Sequence, residues 1–176
     1  MSTLRVNRIE PRTGDSVEIL GFGGGVSNIH KSFRNSDFSL TSGVWTRVMH
    51  NVNSIPNPSF SSATGIFTVG SGDGGLYYVN FNCNFSSTIS DNGLRSDISA
   101  IYVNDNSVAS ASSNMGQVGP TMITTPVSTI IKLNDGDQVS MYAWTEGHSS
   151  GAGGVILGTP GKAISSWTMF RIGDLS

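Results

Sequence analysis

Charge is scarce in this sequence: 10 Lys plus Arg and 12 Asp plus Glu in 176 residues, about half the roughly 25% usual for globular chains. The formal net charge of -2 and pI near 5.8 provide no basic footprint for nucleic acid and no polybasic surface for anionic lipid. Cysteine is all but missing. Cys83 alone excludes an internal disulfide framework and any multi-cysteine zinc site. Long apolar runs are missing too: nothing approaches the roughly 18 residues of a membrane span, and Met1 is followed by no apolar signal core. Synthesis in a cytoplasm and no membrane insertion are therefore expected. What the chain does hold is 28 Ser, 14 Thr, 14 Asn and 22 Gly. The first three compete with the helical backbone through their own hydrogen bonds, and Gly loses the most entropy on ordering, so a helical or Rossmann-like chain is disfavoured. With 37% apolar residues and mean hydropathy near zero, disorder is disfavoured as well.

Three zones follow from the patterning. Residues 1–20 read as two short strands, with Leu4, Val6, Ile9, Val17 and Ile19 apolar around a turn at Glu10 to Asp15. Such a hairpin is marginal alone in water and needs partners. Residues 21–35, opening on Gly21-Phe22-Gly23-Gly24-Gly25, read as a glycine-rich linker. Residues 36–176 read as one all-β domain. The clearest strand is Leu76 to Phe85, where Tyr77, Val79, Phe81, Cys83 and Phe85 share one face, while Tyr78, Asn80, Asn82 and Asn84 share the other. Further strands are expected over Val44–His50, Gly65–Val69, Arg95–Val103, Met122–Leu133, Val139–Thr145 and Ser165–Ile172. Turn signals separate them at Asp73-Gly74-Gly75, Asp91-Asn92-Gly93, Asn104-Asp105-Asn106 and Asn134-Asp135-Gly136-Asp137. Short strands at this spacing indicate a β-sandwich or jelly roll.

Several strands are apolar on both faces. Met141 and Ala143 oppose Tyr142 and Trp144; Trp45 and Met49 oppose Val48; Trp167 and Met169 oppose Phe170 and Ile172. One face fills a sandwich interior, and the other needs a cover, for which a subunit interface is the simplest candidate. Trp45, Tyr78, Tyr142, Trp144 and Trp167 are the candidate interface residues. The alternative is that these rings sit singly under loops.

The ordered set Gly65-Ile66-Phe67-Thr68-Val69, Gly75-Leu76-Tyr77-Tyr78-Val79-Asn80-Phe81, Ile130 to Val139 with Leu133-Asn134-Asp135-Gly136-Asp137-Gln138-Val139, and Ser166-Trp167-Thr168-Met169-Phe170 resembles the C1q/TNF-like head domain over residues 38–173. That resemblance implies a ten-stranded jelly roll forming a homotrimer, with strand-borne aromatics around the threefold axis. The closing strand departs from the usual Phe-Ser-Gly-Phe ending. No Gly-X-Y repeat lies upstream, which disfavours a collagen-stalked animal protein. Instead, residues 4–19, as L-x-V-x-x-I-x-x-x-T-G-x-x-V-x-I, resemble a β-repeat of bacteriophage tail-fibre shafts and attachment ends. The two resemblances imply a virion fibre with a trimeric base, a glycine joint and a knob, the N-terminal segment meeting another virion protein.

Catalytic and metal chemistry find little support. His30, His50 and His148 are far apart, with no HExxH, and read as exposed or hydrogen-bonded residues. No Gly-x-Ser-x-Gly elbow is present, and the carboxylates are mostly turn residues. Asp135-Gly136-Asp137 lacks the spacing of a calcium loop. The glycine runs precede no helix and make no phosphate cradle. Cys83 reads as a buried small hydrophobe. No enzyme activity, cofactor or metal is expected.

Binding is expected in loops: Glu146 to Ile164, Ser112 to Pro120 and Ser86 to Leu94, the first longer than most connections that lack a function. Asn92, Asn114, Gln117, His148, Ser149 and Lys162 are the candidate contact residues, since neutral amides and hydroxyls beside aromatics such as Tyr102 suit saccharide hydroxyls. Equally, these loops could only close strands or pack at the trimer axis. The leading expectation is a phage tail fibre or fibre tip whose knob adheres to a host surface receptor, a polysaccharide foremost, with a protein receptor also open. The alternatives are a purely structural virion component and, third, a polysaccharide depolymerase.

Overall fold

The computed structural model describes residues 27–87, 94–116, 121–146, 155–156, 158 and 165–173. The expected hairpin over 1–20 lies outside them, as do residues 21–26. All regular structure among the described residues is β. In chain order the strands are β1 (Ser27–Phe33), β2 (Phe38–Ser39), β3 (Thr46–Arg47), β4 (Val52–Ile55), β5 (Phe60–Ser61), β6 (Ile66–Thr68) and β7 (Gly75–Ser87). There follow β8 (Leu94–Val103), β9 (Asn106–Gly116), β10 (Thr121–Leu133), β11 (Gln138–Glu146), β12 (Val155–Ile156) and β13 (Ser166–Gly173).

They form two antiparallel sheets. The seven-stranded sheet runs β2-β12-β7-β13-β1-β4, with β10 on the free edge of β7; the six-stranded sheet runs β5-β6-β11-β8-β9, with β3 beside β11. Period-two alternation assigns one face of each to a shared interior. From β7 come Tyr77, Val79, Phe81, Cys83 and Phe85, all at most 1% exposed, and they meet Met141, Ala143, Val139 and Ile101 of the other sheet. The expected alternation of β7 and β11 thus sets the core. Asn84 departs from it: this residue is 5% exposed, with its carbonyl oxygen accepting from the Thr124 hydroxyl on β10.

Three expectations need correction. Residues 27–33 are a strand, paired to β13 from Ser27↔Arg171 to Phe33↔Ser166 and to β4 on the other side, so they are part of the sandwich rather than of a linker. The run Val44–His50 yields only two strand residues, because β11 offers that edge for Tyr142↔Arg47 and Ala143↔Thr46 alone. Most of Ser112 to Pro120, read as a loop, belongs to β9. That strand is rich in Ser and Ala, which carry little intrinsic β preference, and it forms because β8 pairs with it from Leu94↔Gly116 to Val103↔Asn106.

The turns expected at Asn104-Asp105-Asn106 and Asn134 to Asp137 lie between strands, while Asp91-Asn92-Gly93 lies outside the described residues. Asn104 and Asp105 have φ of 50° and 61°, the two left-handed residues of a type I′ hairpin turn. The Asn104 side chain donates to Asp137 Oδ1 at 2.8 Å and accepts from the Gln138 amide at 2.9 Å, tying the β8–β9 turn to the β10–β11 loop. Asn104→Ala removes both bonds and puts a poorly tolerated residue at positive φ. It is expected to cost about 2 kcal/mol, and Asn104→Gly less, in urea unfolding; equal losses would show that backbone conformation contributes nothing there.

Candidate functional site

Three arrangements carry the polar and aromatic chemistry of the molecule. The first is internal. His30 on β1 and His50, just before β4, are both fully buried and flank Trp167 of β13, with ring centroids 5.0 and 6.2 Å from the indole. His30 Nε2 lies 3.0 Å from the Ser32 hydroxyl, whereas its Nδ1 and both nitrogens of His50 have no hydrogen-bond partner of good geometry. Burial pushes His30 down to about 4. His50 is pushed down to about 3, by burial first and then by the nearby Arg34 and His30. Both are neutral at physiological pH and neither is exposed; of the two expected states the hydrogen-bonded one is kept, by His30 with Ser32 and weakly by His50 with the Val48 backbone. Arg34, 7% exposed, donates to the backbone carbonyls of Met49 and Ser36 and lies 4.8 Å from the Phe38 ring centre. An imidazole sealed among Phe60, Phe81 and Trp167 is shielded from solvent; its role here is packing.

The second arrangement lies on the outer face of the six-stranded sheet. Tyr142 and Trp144 of β11, Tyr102 of β8 and Trp45 beside β3 project outward. Their rings form a chain, with centroids 6.4 Å apart for Trp144 and Trp45, 6.0 Å for Trp45 and Tyr102, and 4.3 Å for Tyr102 and Tyr142. Arg47 extends the chain, its guanidinium 5.3 Å from the Tyr142 ring centre and 3.3 Å from Asp105. Ala100, paired to Tyr142, is fully buried yet faces away from the interior. The rings therefore close over the sheet as a fixed platform. Burial, then Tyr142, raises the Tyr102 phenol, keeping it a neutral hydrogen-bonding group. On the β9 side, Ser110, Ser112 and Asn114 are exposed on the same face, with Ser110 opposite Ala100 and Ser112 opposite Ile98.

The third is the outer face of the seven-stranded sheet. Tyr78 is paired to Phe170 on one side and Ile130 on the other, with the Tyr78 and Phe170 centroids 5.2 Å apart. Ile130 is 60% exposed, the most of any large apolar side chain among the described residues. The adjacent row, Ser128, Asn80 and Thr168, is polar.

The five expected interface residues thus separate. Trp45, Tyr142 and Trp144 share one face and Tyr78 lies on the opposite sheet. Trp167 is not outward at all: it is 0% exposed in the core, because β13 sits between β1 and β7 and its largest side chain fills the interior, leaving Phe170 outward. Of the expected contact residues, Asn114 is on a strand rather than in a loop; Asn92, Gln117, His148, Ser149 and Lys162 lie outside the described residues. Phe170 and Ile172 were legible as a second face, whereas Ile130, Ser110 and Ser112 were missed, though their alternation with Ile131, Ala109 and Ala111 was available.

Of the carboxylates, Asp135 and Asp137 serve turns and Asp97 is buried within β8. Asp135 accepts the amides of Gly72 and Gly74, each at 2.7 Å, which hold its carboxyl below the usual range. Asp137 accepts the Asn134 amide at 2.7 Å. Asp97, buried, accepts from the Thr145 hydroxyl at 2.7 Å. No group of three or more His, Cys, Asp or Glu able to hold a metal occurs among the described residues. Cys83 is buried, and burial pushes its thiol well up.

No protein-family model and no curated protein matches the sequence. Solved structures do match in fold. The globular domain of zebrafish complement 1qA protein superposes with a TM-score of 0.53 at 18% identity, covering 84% of this chain and 98% of that one. Eiger TNF from S. frugiperda superposes with a TM-score of 0.59 at 12% identity, covering 84% and 94%. The fold is the C1q/TNF-like jelly roll.

Proposed function

We propose that the chain is the knob of a homotrimeric virion fibre, acting without catalysis to hold the particle on a host surface, with a polysaccharide as receptor. The observation that carries the assembly is the apolar row Ile130, Tyr78 and Phe170 on the outer face of the seven-stranded sheet. A row of large apolar side chains on an exposed sheet face marks a contact surface, and a closed trimer would cover three such rows at once. The fold supports the same reading, since C1q/TNF-like domains are typically trimeric. The fibre context rests on the tail-fibre-like repeat in residues 4–19, through which another virion protein would be met. Adhesion then works by multivalency, weak contacts being multiplied by three subunits.

Sedimentation tests the assembly. The wild type is expected at about three times the 18.5 kDa chain mass, and Ile130→Asp at the mass of one chain, because a charge on a buried interface strand face has no partner there. A wild type sedimenting as a monomer at micromolar concentration would end the trimeric reading. Adhesion of labelled trimer to a panel of bacterial cells tests the receptor role; a trimer that adheres to none is a structural component instead.

A further inference from the structure

The two sheets of a sandwich point their outer faces in opposite directions. If assembly takes the face bearing Tyr78, Phe170 and Ile130, the ring platform of the six-stranded sheet is left outward. We propose that this platform, Trp45, Tyr102, Tyr142 and Trp144 with the hydroxyls of Ser110 and Ser112 beside it, is a binding site for a neutral saccharide chain. The proposal rests on the adhesion reading and moves the site from loops onto a strand face.

Two features of the face select this occupant over a second copy of the chain. Its chemistry differs from that of the opposite sheet, where Tyr78 and Phe170 join the exposed aliphatic Ile130. Here four rings pack together, and Ile98 and Ala100 separate Trp144 and Tyr142 from the hydroxyls of Ser112 and Ser110 on the next strand, so rigid stacking area at low entropic cost is flanked by adaptable hydrogen-bonding groups. Pyranose rings present the same pair of demands, an apolar C–H face and a rim of hydroxyls that both donate and accept. Charge points the same way. Arg47 is engaged by Asp105 at 3.3 Å and by the Tyr142 ring, and the other charged side chain on this face among the described residues, Glu146, is negative. Arg47, whose Nε has no hydrogen-bond partner, is a single cation already beside Asp105, and among the described residues this face holds no cluster of positive charge to favour an anionic glycan over a neutral one. The platform is also pre-formed: the rings pack on one another and bury Ala100 completely, so a ligand needs to order little.

Tryptophan fluorescence tests this with neutral oligosaccharides of glucose, galactose, mannose and rhamnose, and with oligogalacturonate as the anionic comparison. A saturable change is expected with at least one neutral series, insensitive to salt, and none with oligogalacturonate. Trp45 is 41% exposed, so Trp45→Ala should keep the wild-type melting curve while weakening binding by about tenfold. Ser112→Val, which leaves every ring in place, should weaken it several-fold when binding is followed by calorimetry. Absence of saturable binding in all four neutral series, preference for the anionic one, or wild-type affinity in Trp45→Ala overturns the site. Cell adhesion separates this from the parent reading. Trimer that adheres, with Trp45→Ala adhering equally or with adhesion surviving periodate oxidation of the cell surface, refutes the saccharide platform and leaves adhesion standing. Trimer that binds oligosaccharide through Trp45 yet adheres to no cell upholds the platform and refutes adhesion.

Discussion

Between about pH 6 and pH 4 the domain is expected to lose stability at up to about 2.5 kcal/mol per pH unit, steepest near pH 5, where unfolding takes up nearly two protons. The sign follows from His30 and His50. Unfolded, both bind a proton below their ordinary value of 6.5; folded, they resist until about 4 and about 3. In that window the unfolded chain holds more protons, so the stability that is fully present above 6.5 falls as pH falls through the folded values. The cause is that His30 would have to carry charge against Phe60, Phe67 and Trp167, and His50 against Phe81 and Trp167 while also facing the Arg34 guanidinium. A loss of this size over two units rivals the whole stability of a typical domain, roughly 5–15 kcal/mol. Urea unfolding at a series of pH values measures the slope. His50→Leu should remove about half of it, and a stability that stays flat from pH 7 to pH 5 would mean that the two rings are hydrated.

Replacing Trp167 by Ala is expected to destabilise the fold by about 3–5 kcal/mol, the range for deleting a large aromatic from a close-packed core. The indole touches His30, Phe60 and His50 at centroid distances of 5.0, 5.2 and 6.2 Å, and neither sheet can close over the space it would leave. Trp167→Phe should cost much less, since the indole nitrogen has no partner to lose. The readout separates this residue from an interface one: thermal unfolding should shift strongly while protein that remains folded sediments as the wild type does. A changed sedimentation coefficient with an unchanged melting curve would return Trp167 to the surface.

Trp167 also marks where the sequence stops being informative. Alternation in Ser166 to Ile172 shows that two faces exist, but it does not say which is interior; that depends on β13 lying between β1 and β7, a relation set by residues far along the chain. For β7 the ambiguity vanishes, because three Asn oppose five apolar residues. Even there, Asn84 is buried on the outward face, where the Thr124 hydroxyl, forty residues away, donates to its side-chain oxygen. Strand β9 carried no local signal, since Ser and Ala are indifferent to the pleat until β8 pairs with them. His50 shows the same limit in chemical terms. Nothing adjacent to it announces burial, and its depressed basicity comes from rings contributed by three other segments. The ring platform was legible in its parts, Tyr142 and Trp144 on one strand and Trp45 on another, but their meeting with Tyr102 needed the register of β8 on β11.

The pairing of β1 with β13 has a consequence for how the chain is made. Lys31 meets Thr168, so the centre of the seven-stranded sheet joins residues separated by most of the polypeptide. A ribosome releases β1 early and β13 late. Until β13 emerges, β1 and β7 each present an open edge where the sheet will be continuous. Loop closure over such a span is slow, and unpaired edges recruit other strands. Nascent chains of this protein are thus exposed to mispairing until β13 has followed β7 out of the ribosome.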